Sequence, residues 1–200
     1  ATARQLRICN ENRRCDGAGV GAGIRYHDDM LQALKLHPDG RCAAALRIEA
    51  GAMRPTPDRL ELRYVARGEI GKLSLPVRTM PARTDELWKH TCFEAFVRGP
   101  EGGAYCEFNL APSTQWAAYR FTGYRDGMKS IGEIDAPRIE VRLTNDRFEV
   151  DVSLDLGGVA ELPKDAAWRV GMSSVIEEKD GGKSYWALAH PAGKADFHHA

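Results

Sequence analysis

Asp85-Glu86-Leu87-Trp88-Lys89-His90-Thr91-Cys92-Phe93-Glu94-Ala95-Phe96-Val97, followed by Tyr105-Cys106-Glu107-Phe108-Asn109-Leu110, decides the fold. Both runs alternate with period two, the pattern of strands that show different surfaces on their two sides. Phe93, Ala95 and Val97 share one face of the first run, leaving Cys92, Glu94 and Phe96 on the other. In the second, Cys106, Phe108 and Leu110 oppose Tyr105, Glu107 and Asn109. The intervening Arg98-Gly99-Pro100-Glu101-Gly102-Gly103-Ala104 is turn chemistry, so the two runs form an antiparallel hairpin. Matching the faces across this loop predicts Glu94 opposite Glu107, Phe96 opposite Tyr105 and Cys92 opposite Asn109.

Two facing carboxylates repel unless a cation, a shared proton or ligand donors compensate them. That makes this face a candidate site. The structural alternative is that Arg120 or Arg125, both near in sequence, neutralises the pair with no ligand involved.

Working outward, strands dominate. Leu31 to Leu36 and Ala43 to Met53 are expected strands, as is Arg59 to Arg67, where Leu60, Leu62, Tyr64 and Ala66 alternate with polar or smaller partners. Leu73 to Leu75 reads as a short strand ended by Pro76, and 76–84 as a loop. Gln115 to Phe121 is a further strand, expected to carry Trp116 and Tyr119 towards the site. Arg138 to Leu143 and Arg147 to Leu154 form a hairpin through Thr144-Asn145-Asp146, with Ile139, Val141 and Leu143 inward. Trp168 to Glu177 and Ser184 to His190 form another, through a loop containing Asp180-Gly181. Leu156 to Leu162 reads as a short helical turn. About ten strands and no long amphipathic helix predict an all-β antiparallel sandwich.

The chain has 200 residues, enough for one two-layer domain with an extra segment. Its regular pattern begins at Met30. Residues 1–29 are therefore expected to be a flexible extension outside the domain, and 30–200 the domain itself. Basic and acidic residues both number 28, so the net charge is zero and no nucleic-acid or membrane-surface footprint stands out. No run approaches the roughly 18 apolar residues of a membrane span, and no convincing signal peptide opens the chain. The five cysteines are odd in number, and Cys92 and Cys106 fall on opposite faces of the hairpin. Free thiols in a cytoplasmic setting are the expectation.

The strings Leu87 to Phe96, Tyr105 to Phe121, Val175-Ile176-Glu177-Glu178, Ser184 to Pro191 and Asp196-Phe197-His198-His199 together resemble the bacterial DOMON-like domain proteins, relatives of the family 9 carbohydrate-binding modules. The resemblance covers about residues 30 to 200. It implies a sandwich of the jelly-roll kind that binds a sugar or, in other branches, haem. It also implies stacking by Trp88, Trp116 and Trp186 and hydrogen bonding by Glu94, Glu107 and Asn109, with Arg120 nearby. Members of the family continue past the Phe-His element into one more apolar strand. For a chain ending at Ala200 the expectation is therefore either truncation or a missing last strand, with an unpaired sheet edge.

A flat apolar surface with a few fixed polar groups is what sugar recognition requires. The expected function is therefore a non-catalytic module that binds a carbohydrate-like small molecule. The alternatives are a haem-binding redox domain, or an interaction domain without a small ligand. Facing carboxyl groups about 5–5.5 Å apart would also suit a retaining glycosidase, but no deep cleft is indicated and no catalytic residue is assigned. Haem would need axial ligands such as His90 with Met80 or His190 with Met172, and no CxxCH supports them. Asp85 and Glu86 for Ca²⁺, or Asp196, His198 and His199 for a transition metal, fit no ligand pattern, so no metal site is expected and no cofactor is specified.

Overall fold

The computed structural model describes residues 5–9 and 30–199. Two antiparallel sheets pack face to face as a β-sandwich. The larger sheet contains β1 (Leu6–Ile8), β3 (Lys35–Leu36), β6 (Cys92–Arg98), β7 (Tyr105–Leu110), β8 (Trp116–Phe121), β9 (Lys129–Ser130), β12 (Trp168–Glu177) and β13 (Lys183–Ala187). The smaller contains β2 (Gln32–Ala33), β4 (Leu46–Thr56), β5 (Arg59–Gly68), β10 (Arg138–Leu143) and β11 (Arg147–Asp155). In the large sheet the order is β3-β13-β12-β6-β7-β8-β9, with β1 alongside the start of β12; in the small sheet it is β10-β11-β5-β4-β2.

The core lies between the sheets. Phe93 packs on Tyr64 at 4.8 Å and on Phe148 at 5.8 Å between ring centroids, joining the two layers. The Tyr64 hydroxyl crosses this core to donate to the Glu94 carbonyl at 2.7 Å, which fixes β6 against the small sheet. Every residue of β7 is buried, although only Cys106, Phe108 and Leu110 face the core. Its other face must therefore be covered too, a feature of strands in the middle of a layered sheet.

Several expectations are corrected. The β6–β7 register is two residues from the predicted one: Glu94 pairs with Asn109 and Phe96 with Glu107. The predicted register would have closed on Pro100-Glu101, and a two-residue hairpin turn needs positive φ at its first position, which proline cannot adopt. The loop instead opens after Val97↔Cys106 and turns through Gly102 at φ 80°. Residues 6–8, expected outside the domain, add β1 to the sheet, with Ile8 buried in the core; residues 1–4 and 10–29 of the expected extension lie outside the described residues.

The predicted first strand is split. β2 joins the small sheet and β3 the large one, so the chain changes layer at the buried Leu34. Leu73 makes only an isolated bridge to Glu178, Leu143 is exposed rather than inward, and 156–162 is a pair of turns without helix. Among the described residues the strands number thirteen, because short edge strands too brief to show periodicity are added. No helix among the described residues is long and apolar enough to cross a membrane.

Gly68 ends β5 at φ 125°, and a Cβ there would lie 1.9 Å from the Ala45 carbonyl oxygen. That combines left-handed strain with a backbone clash that no rotamer relieves. Gly68→Ala should cost on the order of 2–3 kcal/mol in urea unfolding; a loss under about 0.5 kcal/mol would show that the β4–β5 end moves freely.

Candidate functional site

Register determines what the large sheet presents on its outer face. Directly paired residues share a face, so Trp116, Leu110, Phe93, Ser174 and Trp186 form one row across β8, β7, β6, β12 and β13, facing the core. One residue along, Ala117, Asn109, Glu94, Ser173 and Ala187 form a row on the outer face. The next outer row holds Tyr119, Glu107, Phe96 and Gly171. Glu94 and Glu107 are thus diagonal neighbours on one face, not a directly opposed pair.

A cavity of about 430 Å³ opens above them, within the size range of small-molecule pockets. Glu94 and Glu107 lie at its floor. Trp88, Phe121, Tyr185 and Phe197 supply apolar walls, and Arg125 and His198 reach it from the rim. Trp88 stands on the single turn Leu87–Lys89 and is 36% exposed, edge-on to Tyr119 at 6.3 Å. The Tyr119 hydroxyl donates to Asp85 Oδ1 at 2.5 Å, which secures the segment carrying Trp88. Glu86, just before that turn, and Arg125 at the opposite rim both adopt left-handed backbone, at φ 62° and 53°. Strained non-glycine residues flanking one pocket suit positions held for a purpose other than stability.

The C-terminal segment closes one side. Arg125 donates to Asp196 at 2.9 Å, and the Tyr124 hydroxyl also bonds Asp196. Tyr105 and His198 Nδ1 are 2.6 Å apart. The Tyr105 oxygen also accepts from the Arg125 amide at 3.3 Å. His198 Nε2 lies 3.8 Å from Glu107 Oε2.

The two carboxyl groups are held differently. Glu107 accepts from Asn109 Nδ2 at 2.7 Å, whereas among the described residues Glu94 accepts from the Ser173 hydroxyl alone, at 3.4 Å from Oε2. Among the described residues, no cation lies within ion-pair distance of Glu94. Burial, reinforced by the Glu107 charge, pushes the Glu94 carboxyl up to about 8. Burial also raises Glu107, opposed by its Asn109 hydrogen bond and by Arg125. Desolvation is the dominant cause at both, so the floor favours its protonated forms and has room for a positive or donor-rich guest.

The other expected site residues separate. Trp88, Glu94 and Glu107 come together at the pocket. Asn109 is fully buried beneath it and orients Glu107. Trp116 and Trp186 are buried in the core; Arg83 stacks on Trp116 at 4.1 Å, and the Trp186 indole donates to Ser184 Oγ at 2.9 Å. Arg120 pairs with Cys106 and so points to the other side of the sheet, where it bonds Glu133 at 2.6 Å and Glu161 at 3.0 Å. Neither it nor Arg125 bridges the two glutamates as the structural alternative required: Arg125 lines the pocket but pairs with Asp196. Phe121, Tyr185 and Phe197 were missed as walls. Their only trace in the sequence is aromatic alternation in strands whose registers the sequence leaves open.

Met172 is fully buried in the core and Met80 is exposed on a loop, so neither nominal haem pairing meets at this pocket. Among the described residues, no group of three or more histidine, cysteine, aspartate or glutamate side chains could hold a metal ion.

No protein-family model and no curated protein matches the chain. Among solved structures, it is similar to a candidate carbohydrate-binding protein from Bacteroides uniformis, with a TM-score of 0.54 and 12% identity over 84% of this chain and 81% of that one. A family 9 carbohydrate-binding module from Caldicellulosiruptor kristjanssonii in complex with glucose aligns at a TM-score of 0.43 and 12% identity, over 88% and 84% of the two chains. The module in complex with cellotriose aligns at 0.42 and 11%, over 86% and 83%. At such identities the likeness to the Bacteroides protein is one of fold.

Proposed function

We propose that this chain is a non-catalytic, DOMON-like binding domain whose outer-face pocket takes a carbohydrate-like small molecule. One observation carries the reading: two buried carboxyl groups, Glu94 weakly bonded and Glu107 held by Asn109, form the floor of a ring-sized cavity walled by aromatic side chains. A sugar ring offers an apolar C–H face to Trp88 or Phe197, and its edge of hydroxyls offers donors to Glu94 and Glu107. Every hydroxyl taken from water must recover its hydrogen bonds, and these acceptors supply them. The fold, shared with a candidate carbohydrate-binding protein, is compatible with this reading, but the argument rests on the site.

Hydrolysis fits the geometry poorly. Glycosidase carboxyl groups flank the scissile bond, whereas Glu94 and Glu107 rise side by side from adjacent strands of one floor. Glu94 is also only 3% exposed, too enclosed to approach a sugar from the opposite side.

Calorimetric titration with monosaccharides and short β-linked glucans tests the proposal. Glu107→Ala should weaken binding about 30-fold or more, the cost of leaving bound hydroxyls unpaired. Trp88→Ala should weaken it roughly tenfold by removing the exposed stacking surface. Trp116→Phe, a change within the core, should leave affinity within about twofold. Wild-type protein that binds no sugar, or an affinity that follows Trp116 instead of Trp88, would refute it.

A further inference from the structure

The floor of the pocket has an unmatched chemistry that narrows the ligand class. Glu94 is 3% exposed and Glu107 6%, yet the outer rows around them supply only Asn109, Ser173, Tyr119 and small or aromatic residues. Among the described residues, the side-chain hydrogen bond Glu94 receives is the weak one from Ser173 at 3.4 Å, and Glu94 lines the cavity. The charged and titratable groups around the floor are Cys92 beside Glu94, Tyr105, Tyr119 and His198 beside Glu107, Tyr185 in the wall, and Arg125 with Asp196 at the rim. The Arg125 guanidinium is engaged by Asp196, so its charge is already answered at the rim. What remains, among the described residues, is Glu94 without an ion-pair partner beside Glu107, which has His198 Nε2 at 3.8 Å, both enclosed by Trp88, Phe121, Tyr185 and Phe197. Aromatic faces turned on a cavity attract a cation as readily as an apolar ring.

We propose that the ligand is an amino sugar, whose protonated amine sits between Glu94 and Glu107 while the ring rests on the aromatic walls. This rests on the carbohydrate reading of the pocket and specifies it. An ammonium group brings three donors to acceptors that have too few, and it restores the charge the floor lacks. A neutral sugar would leave Glu94 in its protonated form. An ammonium stabilises the carboxylate, so binding expels the Glu94 proton to the buffer, one positive charge replacing another.

Three sugars of one ring size separate the possibilities: glucosamine, glucose and N-acetylglucosamine, titrated slightly below neutral pH in two buffers of different ionisation enthalpy. Glucosamine should bind at least about tenfold tighter than either neutral sugar and release close to one proton per site. Glu94→Gln should abolish both the preference for glucosamine over glucose and the proton release. Cyclohexylamine, an ammonium on an apolar ring without hydroxyls, should bind more weakly than glucosamine. Equal affinity for glucosamine and glucose, binding without proton release, or an unchanged preference in Glu94→Gln would each overturn the amine assignment and leave the carbohydrate reading standing. Cyclohexylamine binding as tightly as glucosamine would overturn the sugar half of the assignment. If none of the three sugars binds, the carbohydrate reading itself fails and the amine assignment fails with it.

Discussion

Glu94→Gln should make the protein more stable in mild alkali, and by an amount that depends on pH. The ordinary carboxyl value is 4.5, and burial beside Glu107 carries Glu94 to about 8 in the folded chain. Below the ordinary value, folded and unfolded states both hold the proton, so the group is neutral in its effect. Between the two values the folded state keeps its proton and the unfolded state loses it. Stability then falls as pH rises, by about 1.4 kcal/mol per unit. Across the whole interval the penalty reaches about 4–5 kcal/mol, a large share of the 5–15 kcal/mol typical of a domain. Glutamine has the same shape and no charge to desolvate, and it can still bond Ser173, so the variant should escape most of this slope. It also removes the charge that Glu107 meets when it ionises. Urea unfolding at several pH values between about 4 and 9 measures the effect. Curves for variant and wild type that coincide near the acid end and diverge steadily upward are expected; parallel curves would show that Glu94 is not a buried acid. The substitution should stabilise the fold while removing the amino-sugar preference, the trade between stability and function expected of a charged binding floor.

Arg54→Met should be among the most damaging single changes in the sandwich. Arg54 is 1% exposed, at a bulge where the β4–β5 register shifts between Met53 and Thr56. Pro55 follows it and has no N–H to contribute to a ladder, so the strand kinks there and turns the arginine inward. Its guanidinium then bonds the carbonyls of Pro57 at 2.6 Å, Ala166 at 2.5 Å, and Pro163 and Lys164 both at 3.1 Å. It stacks on Trp168 at 3.6 Å as well. Methionine keeps the apolar stem but takes the donors from several part-buried carbonyls, at about 1–3 kcal/mol for each that water cannot reach. A total loss of roughly 3–5 kcal/mol is expected, equivalent to about 10 °C in Tm for a domain of this size. Arg54→Lys should recover little, because a single ammonium cannot span carbonyls arranged around a planar fork. A loss below about 1 kcal/mol would mean that the 163–166 segment is held by other contacts.

Much of the fold was legible in the order of residues. Period-two alternation in 59–67, 92–97, 105–110 and 147–154 marked strands that the structure contains, and Thr144-Asn145-Asp146 marked a turn that it makes. The segregation of Glu94 and Glu107 from Phe93, Val97, Phe108 and Leu110 followed from the same period. Their shared face survived the register error because the shift was two residues, and a shift of two preserves sidedness while a shift of one reverses it.

What period-two alternation cannot specify is which strand lies beside which, and at what offset. The direction of Trp116 and Trp186 depends on pairing with Leu110 and Ser174, across β8–β7 and β12–β13, and those pairings place both indoles in the core. Arg120 was lost from the site for the same reason, since its partner Cys106 belongs to the inner face. The closure of the pocket by Asp196, Phe197 and His198 was equally out of reach. His198 meets a tyrosine 93 residues earlier, a contact no local signal encodes. The sequence by itself thus determined the strands, their two faces and the presence of an acidic pair. Only the tertiary structure decided the register, which tryptophan is exposed and what covers the acids, because those depend on turn geometry and long-range packing that local periodicity does not constrain.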